Sequence, residues 1–252
     1  MNDLAYYLKR LRLTRLGDRL DPLLHQAAAE SWSYETFLRT LLENEVFARD
    51  QTLIERRVNA AHFPHRDKTL ENFDFAFQVS VKKQVLLNFA SLRFLTEKLN
   101  LIFLGPPGTG KTHLAIALGL KAAQAKYQVL FTSAIEVVTQ LMAAEQSGTL
   151  DQTLHRLTQP ELLIIDEVGY IPFAQQAANL FFQLVNRRYE AGSIILTSNR
   201  AFSGWGEIFG GDVVVAAAMI DRLVHHAEVI TLRGSSYRLK GKEKFTQPDP
   251  TA

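Results

Sequence analysis

Eight consecutive residues carry the clearest chemical signal in this chain of 252 residues. They fit the pattern G-x-x-x-x-G-K-[ST], in which backbone N–H groups curl around a polyphosphate. Lys111 can reach the β and γ phosphates, and the Thr112 hydroxyl can hold Mg²⁺. The motif therefore predicts a binding site for a nucleoside triphosphate. The run consists of Gly105, Pro106, Pro107, Gly108, Thr109, Gly110, Lys111 and Thr112.

Two adjacent carboxylates, Asp166 and Glu167, follow a second apolar run at residues 162–165. We expect Asp166 to hold the metal ion beside Thr112, directly or through water. We expect Glu167 to orient and deprotonate the attacking water. A structural alternative is that Asp166 only caps the helix that follows.

A further polar residue, Asn199, ends another apolar run. It fits a group that hydrogen-bonds the attacking water or the γ-phosphate, and its alternative role is to cap the following turn.

The presence of Glu167 helps to distinguish a hydrolase from a kinase. A small-molecule kinase needs no water-activating glutamate, because its nucleophile is the substrate, whereas a hydrolase does need one.

The elements that must position these groups form an alternating pattern. Short apolar runs of this kind are typical of parallel strands that are buried on both faces. Their alternation with helical stretches predicts an α/β fold with a parallel sheet flanked by helices. Because ligands bind at the carboxyl ends of such strands, we expect the phosphate loop, both carboxylates and Asn199 to meet at one edge. The runs lie at residues 101–104, 129–132, 162–165 and 193–197.

The first quarter of the chain has a different character. Residues 1–63 are helical in pattern, and we expect Asp21 and Pro22 to begin a new helix there. Residues 63–68 lack periodicity, which indicates a linker. We therefore predict a small all-helical domain at residues 1–66 and an α/β ATPase domain at residues 67–252.

Four further elements are predicted within the second domain. A helix is expected over residues 78–99, and Ser133 with Glu136 predicts a capping box that opens another. The last part of the chain reads as short strands at residues 229–232 and 237–239, followed by a proline-containing tail.

Composition limits the compartment and the partners. Cysteine is absent, which excludes disulfides and favours a reducing compartment. No run of eighteen apolar residues and no apolar leader are present, so we expect a cytoplasmic protein without a membrane partner. The net charge of +2 hides basic clusters that are either solvated helix faces or surfaces for nucleic acid or an acidic partner. The candidate DNA contacts are Lys9, Arg10, Arg12, Arg56 and Arg57.

Further motifs accompany the phosphate loop at residues 55–57, 68–75, 162–169, 197–200, 205–210 and 221–226. Together they resemble the IstB family, the ATP-binding helper proteins of IS21-type transposable elements, related to DnaC and DnaA. The resemblance implies an AAA+ fold of the initiator clade, with ATP and Mg²⁺ as cofactors and Asn199 as sensor 1. It also implies a DNA-stimulated ATPase that assembles head to tail on duplex DNA and delivers it to an IS21-type transposase. Many AAA+ proteins add a helical lid after this core, but only residues 228–252 follow it here, so we expect no full C-terminal lid.

AAA+ assemblies complete each site with an arginine from the neighbouring subunit, where charge develops in the transition state. Arg222 matches the segment that carries this residue in the initiator clade, and Arg200, Arg187 and Arg188 are rivals. Arg238 is a candidate to replace the arginine of the missing lid.

Two alternatives stay open from the sequence. The first is a replicative helicase loader, which would bind single-stranded DNA and a hexameric helicase. The second belongs to another class, a P-loop kinase or an adaptor that binds nucleotide without hydrolysing it.

Overall fold

The computed structural model describes residues 3–240, so the predicted proline-containing tail lies outside the described residues. The chain divides into two compact units, Met1–Arg56 and Arg57–Ala252. The first unit is helical. Its helices are α1 (Asp3–Arg10), α2 (Thr14–Ala29) and most of α3 (Tyr34–Ala60).

The expectation that Asp21 and Pro22 begin a new helix is wrong. Helix α2 runs through Pro22, although proline removes a hydrogen bond from the helical ladder and its ring crowds the preceding turn. Arg15 attaches the first part of α2 to α3, because its guanidinium donates to Ala48 O at 2.5 Å and to Thr52 Oγ1 at 2.6 Å. These contacts stabilise the packing of α2 against α3.

The predicted linker at residues 63–68 begins inside a packed region of the second unit. Phe63 is buried, and Phe131 N donates to Ala61 O at 2.8 Å. The second unit begins at Arg57, ten residues before the predicted domain start at residue 67. The functional division at residue 66 stays a prediction.

The second unit is built on a five-stranded parallel sheet with strand order β2-β3-β4-β1-β5. The predicted fold class is confirmed. The strands are apolar along most of their length, which suits a sheet that is covered on both faces. Their bounds are β1 Asn100–Leu104, β2 Val129–Ser133, β3 Leu162–Val168, β4 Ser193–Ser198 and β5 Ala227–Thr231.

Helices cover both faces of the sheet, and successive strand residues pack into opposite cores. Ile102 belongs to one apolar cluster, whereas Leu101 and Phe103 belong to the other. The helices of this unit are α4 Lys83–Ala90, α5 Arg93–Thr96, α6 Lys111–Gln124, α7 Ala134–Gln146, α8 Leu150–Thr158, α9 Gln175–Arg188, α10 Trp205–Ile208 and α11 Val213–His225. The predicted capping box of Ser133 and Glu136 opens α7.

Two predicted elements differ from the structure. The helix expected over residues 78–99 divides into α4 and α5, because Leu92 adopts a left-handed φ of 63° and turns the chain so that Phe94 and Leu95 are buried. The strand expected at residues 237–239 is a short 3₁₀ helix, Tyr237–Leu239, whose first N–H donates to the phosphate loop rather than to a sheet ladder.

None of the helices within residues 3–240 is long and apolar enough to cross a membrane.

Candidate active site

The phosphate loop connects β1 to α6 and lies at the carboxyl edge of the sheet. Gly110 is the residue before α6 and has a φ of 100°, a left-handed conformation that glycine adopts without steric cost. A Cβ atom at this position would lie 2.6 Å from the Phe73 ring. The loop therefore needs glycine here both for its backbone angle and for the packing of Phe73.

Lys111 is only 8% exposed and points back into the loop. Its Nζ donates to Gly105 O at 2.7 Å and to Pro106 O at 2.8 Å. Burial lowers the pKa of Lys111, and the negative charge of Asp166 opposes that shift. Two neutral carbonyls thus hold the ammonium group at the place where the motif predicts phosphate oxygens.

Asp166 links the phosphate loop to two neighbouring strands. Thr112 Oγ1 donates to Asp166 Oδ1 at 3.0 Å, and Thr197 Oγ1 donates to the same oxygen at 2.5 Å. Asp166 is buried at the carboxyl end of β3 and does not cap a helix. A hydroxyl and a carboxylate side by side fit Mg²⁺, which takes few protein oxygens and keeps several waters and phosphate oxygens.

Glu167 has a strained backbone beside this carboxylate. Its φ of 62° lies in the left-handed region, which is uncommon for residues other than glycine. Its N–H donates to Thr197 Oγ1 at 3.0 Å, and the pairing of β3 with β4 shifts register between Ile165 and Val168. The result is one buried acid, Asp166, followed by one exposed acid, Glu167.

Asn199 directly follows β4 at the same edge. Its Oδ1 is buried and has no hydrogen-bond partner among the described residues. The following turn is capped by its neighbour, because Ser198 Oγ accepts from Arg200 N at 3.1 Å. The amide of Asn199 is therefore not the cap of this turn, and its carbonyl oxygen is an acceptor that a bound water could use.

Thr197 and Gln78 also contribute to this site, although neither was predicted as a site residue. Thr197 bridges Asp166 and Glu167 as described above. Gln78 is buried, and its Nε2 donates to Thr109 O of the phosphate loop at 3.0 Å. A hydroxyl at the end of an otherwise apolar strand is a signal that could have indicated Thr197.

A cavity of about 240 Å³ opens beside the phosphate loop. The residues that line it include Lys111, Thr112, Phe77 and Tyr237. Arg238, the candidate for the lid arginine, also lines this cavity, and its charge helps to lower the pKa of Lys111. The cavity thus combines cationic and aromatic groups next to the phosphate-binding motif.

The four candidate arginines lie in different surroundings. Arg222 on α11 is half-buried, with its guanidinium 5.6 Å from the Phe182 ring and 5.5 Å from the Tyr189 ring. Helix α11 ends just before the amino end of β5, whereas the phosphate loop follows the carboxyl end of the parallel neighbour β1. Arg222 therefore lies toward the opposite edge of the sheet from its own phosphate loop.

The rivals of Arg222 differ in their partners. Arg187 pairs with Asp151 and Arg200 is exposed. Arg188 is only 1% exposed, and its burial lowers its pKa to about 10. Its guanidinium donates to backbone carbonyls of the segment before β3 and of β4, so it is committed to the interior of its own subunit. The acceptors are the carbonyl oxygens of Leu157, Thr158, Pro160, Glu161 and Ser193.

The candidate DNA contacts are found at two places in the chain. Lys9 and Arg10 are exposed at the end of α1, and Arg12 is exposed in the turn that follows. Arg56 is exposed on α3, and Arg57 next to it is half-buried.

Comparison with solved structures extends the fold assignment. AMPPCP-bound DnaA from Aquifex aeolicus superposes with a TM-score of 0.54 and 25% identity over 72% of this chain, which spans 56% of that DnaA chain. A crystal structure of DnaI superposes with a TM-score of 0.55 and 22% identity, covering 69% of this chain and 94% of that chain.

The fold and the site together define a P-loop ATP-binding protein of the AAA+ class. A model of the IstB-like ATP binding protein family matches residues 6–245, and the chain belongs to that family.

Named relatives agree with this assignment. The ATP-binding protein of insertion sequence IS21 from Pseudomonas aeruginosa is 46% identical over 244 residues, covering 97% of this chain and 91% of the relative. The corresponding protein of IS5376 from Geobacillus stearothermophilus is 42% identical over 236 residues, covering 94% and 93%.

Proposed function

We propose that this protein is a cytoplasmic AAA+ ATPase that assembles on duplex DNA and assists the transposase of an IS21-type insertion sequence. ATP and Mg²⁺ are the proposed cofactors. The proposal depends on the two hydrogen bonds that Asp166 Oδ1 accepts from Thr112 and Thr197, which bring the phosphate loop and two strand ends together. The likeness to ATP-binding proteins of insertion sequences supports it.

In the proposed reaction, every group except Lys111 acts from the position described above. Lys111 leaves the loop carbonyls and binds the β and γ phosphates. Thr112 and Asp166 supply oxygen ligands for Mg²⁺, which neutralises charge on the phosphates when bound. Glu167 accepts a proton from the attacking water, and Asn199 aligns that water through its unpartnered Oδ1.

The proposed assembly is head to tail, with Arg222 completing the site of the next subunit. Its location away from its own phosphate loop supports action in trans. The rings of Phe182 and Tyr189 restrain the guanidinium while leaving it half-buried. An arginine held in this way can stabilise transition-state charge at an interface.

For DNA, we propose that the basic side chains of residues 9–12 and 56–57 neutralise backbone phosphates. Contacts of this type are sequence-independent and weaken as salt rises. The proposal includes no base-reading element. The transposase partner is inferred from the insertion sequences to which the relatives belong.

A hydrolysis assay tests the enzymatic part of the proposal. Glu167→Gln should abolish ATP hydrolysis while nucleotide binding persists, because the amide cannot accept the proton of the attacking water. Glu97→Gln is the matched control, since Glu97 lies on the surface in a weak pair with Arg93 at 3.4 Å. Unaltered hydrolysis in Glu167→Gln would contradict the mechanism. A wild-type protein that binds ATP without hydrolysing it would favour an adaptor or a kinase.

A binding assay with labelled DNA tests the proposed ATP-dependent binding to duplex DNA. The wild-type protein should bind duplex more tightly with ATP than without it, and Lys111→Ala should lose that dependence. Charge reversal at Arg10 and Arg12 should weaken duplex binding and flatten its salt dependence. A preference for single-stranded DNA, with no ATP effect on duplex, would favour a helicase loader instead.

A further inference from the structure

The segment of residues 232–240, here called the C-terminal strap, leaves the sheet and crosses to the phosphate loop. Leu232 N donates to Leu104 O at 2.7 Å, which continues the pairing of β5 with β1. Arg233 N then donates to Ser80 Oγ at 2.9 Å. Its backbone is therefore attached to the segment before α4 as soon as β5 ends.

The strap next contacts the phosphate loop itself. Tyr237 N donates to Gly108 O at 2.9 Å. A Cβ atom built on Gly108 would lie 2.0 Å from Ser236 Oγ, so the strap and the loop are packed against each other with no room for a side chain at this glycine. A movement of the loop on binding phosphate would therefore displace the strap.

The end of the strap is fastened by an ion pair and by aromatic rings. Lys240 Nζ lies 2.6 Å from Asp74 Oδ2, 5.1 Å from the Tyr237 ring centre and 5.4 Å from the Phe77 ring centre. The two rings meet edge to face at 5.2 Å. Lys240 lowers the pKa of Asp74 mainly through their hydrogen bond, so the carboxylate is ionised at neutral pH.

These attachments place the strap along one side of the cavity beside the phosphate loop. Tyr237 and Arg238 line it from the strap, Asp74 and Phe77 line it from the facing segment, and Lys111 lines it from the phosphate loop. The Lys240–Asp74 pair joins the strap to the facing segment. Loss of that pair would loosen the end of the strap, while the hydrogen bonds of Arg233 and Tyr237 would still attach its backbone.

We propose that the C-terminal strap is a closing wall of the nucleotide site and that Lys240 and Asp74 are positioning residues that hold it closed. The inference rests on the proposed function, because it takes the ligand of the cavity to be a nucleoside di- or triphosphate. The strap restrains the bound nucleotide and brings the Arg238 guanidinium toward the polyphosphate. Nucleotide release then requires the Lys240–Asp74 pair to open.

The test is the rate at which the full-length protein releases a fluorescent ADP analogue when chased with unlabelled ATP. Lys240→Ala should speed release by about five- to thirtyfold, from the loss of an ion pair and its cation–π contacts. Asp74→Asn should speed release by about two- to fivefold, because it loses the ion pair alone. Asparagine at position 74 can still accept the hydrogen bond from Phe77 N, which measures 3.0 Å, so the local turn is retained. Lys240→Arg should restore slow release.

The matched control is Lys121→Ala, which breaks a surface pair of similar length, 2.8 Å to Glu71, without touching the strap. It should release the analogue at the wild-type rate. High salt should speed release from the wild type more than from Lys240→Ala, since screening weakens an exposed pair that the variant lacks.

The outcomes separate the two proposals. If the wild type binds the analogue and both Lys240→Ala and Asp74→Asn release it at the wild-type rate, the strap proposal is overturned and the proposed function stands. If the wild type binds no nucleotide, or Lys111→Ala binds it equally well, the proposed function fails and the strap proposal fails with it.

Discussion

Thr197 Oγ1 donates a hydrogen bond to Asp166 Oδ1 at 2.5 Å across the boundary between β4 and β3. The same hydroxyl oxygen accepts a hydrogen bond from Glu167 N at 3.0 Å. One buried side chain therefore fixes the carboxylate proposed to hold the metal and the backbone of the acid proposed to activate water. The position of Glu167 depends on this contact because its left-handed backbone cannot follow the regular strand pairing.

The first prediction concerns this hydroxyl. Thr197→Ala should lower ATP hydrolysis about tenfold or more, because a hydrogen bond to a charged group contributes about 1.5–3 kcal/mol and 1.4 kcal/mol corresponds to tenfold in rate. Thr197→Ser should retain most activity. Steady-state hydrolysis over a range of Mg²⁺ concentrations measures the effect.

Thr132→Ala is the control for that experiment. Thr132 is a buried threonine on β2 whose hydroxyl donates to Glu136 Oε2 at 3.2 Å rather than to Asp166. Equal losses of hydrolysis in the two alanine variants would show that Thr197 acts through general stability and not through the two acids.

The second prediction compares Asn199, just after the carboxyl end of β4, with Asn100, at the amino end of the neighbouring strand β1. Asn199→Ala should lower hydrolysis by about tenfold or more and change stability by less than about 1 kcal/mol, because its Oδ1 has no partner in the described part of the chain. Asn100→Ala should instead cost about 1–3 kcal/mol of stability, since its side chain donates to Leu223 O at 3.1 Å and accepts from Ile194 N at 2.8 Å.

Thermal unfolding and hydrolysis measured on the same two proteins decide this comparison. A large stability loss in Asn199→Ala, with hydrolysis reduced only in proportion to the folded fraction, would contradict a role for its carbonyl oxygen in the reaction.

Much of the fold could be predicted because its signals are local. The glycines and lysine of the phosphate loop, the apolar strands and the Ser133–Glu136 capping box each depend on neighbouring residues. The parallel sheet then follows from the alternation of strands and helices. The proximity of Asp166 to Thr112 could be predicted because ligand-binding groups lie at the carboxyl ends of parallel strands. The structure has Thr112 Oγ1 3.0 Å from Asp166 Oδ1.

The unpredicted features depend on contacts between distant segments. Pro22 lies inside α2, a helix that Arg15 attaches to residues of α3 more than thirty positions along the chain. Residues 237–239 have the composition of a strand, but Tyr237 N donates to Gly108 O and Leu239 N donates to Ser236 O, so neither joins a strand pairing. Arg188 was predicted only as a rival of Arg222, because its burial against five carbonyl oxygens depends mostly on residues 157–161, which the sequence does not place beside it.

The third prediction concerns Arg188 and its neighbour. Arg188→Ala should destabilise the protein by about 3 kcal/mol, because it leaves buried carbonyl oxygens without a donor, and the Tm should fall by about 6–12 °C. Arg187→Ala removes an ion pair with Asp151 that is exposed to solvent, so it should cost less than about 1 kcal/mol. Thermal denaturation followed by circular dichroism measures both variants.

ATP hydrolysis is the second measurement for Arg188→Ala, made at a temperature where this variant is fully folded. The rate should match that of the wild type, since Arg188 is enclosed in its own subunit. Normal stability with lost hydrolysis in Arg188→Ala would instead make it the arginine that acts in trans.

The fourth prediction tests whether Arg222 completes the site of a neighbouring subunit. Arg222→Ala and Glu167→Gln should each hydrolyse ATP at no more than about one hundredth of the wild-type rate when alone. In an equal mixture, a site is intact only where an Arg222→Ala subunit supplies Glu167 and a Glu167→Gln subunit next to it supplies Arg222. Random mixing gives each condition a chance of one half, so the mixture should recover up to about one quarter of the wild-type rate per subunit.

Recovery in this mixture requires action between subunits, because neither variant contains a complete set of residues in one chain. If Arg222 served the phosphate loop of its own subunit, mixing would restore nothing. The topology argues for recovery, since α11 ends next to the amino end of β5 whereas the phosphate loop follows the carboxyl end of β1. Arg200→Ala mixed with Glu167→Gln is the parallel experiment, and recovery there with none for Arg222→Ala would transfer the role to Arg200.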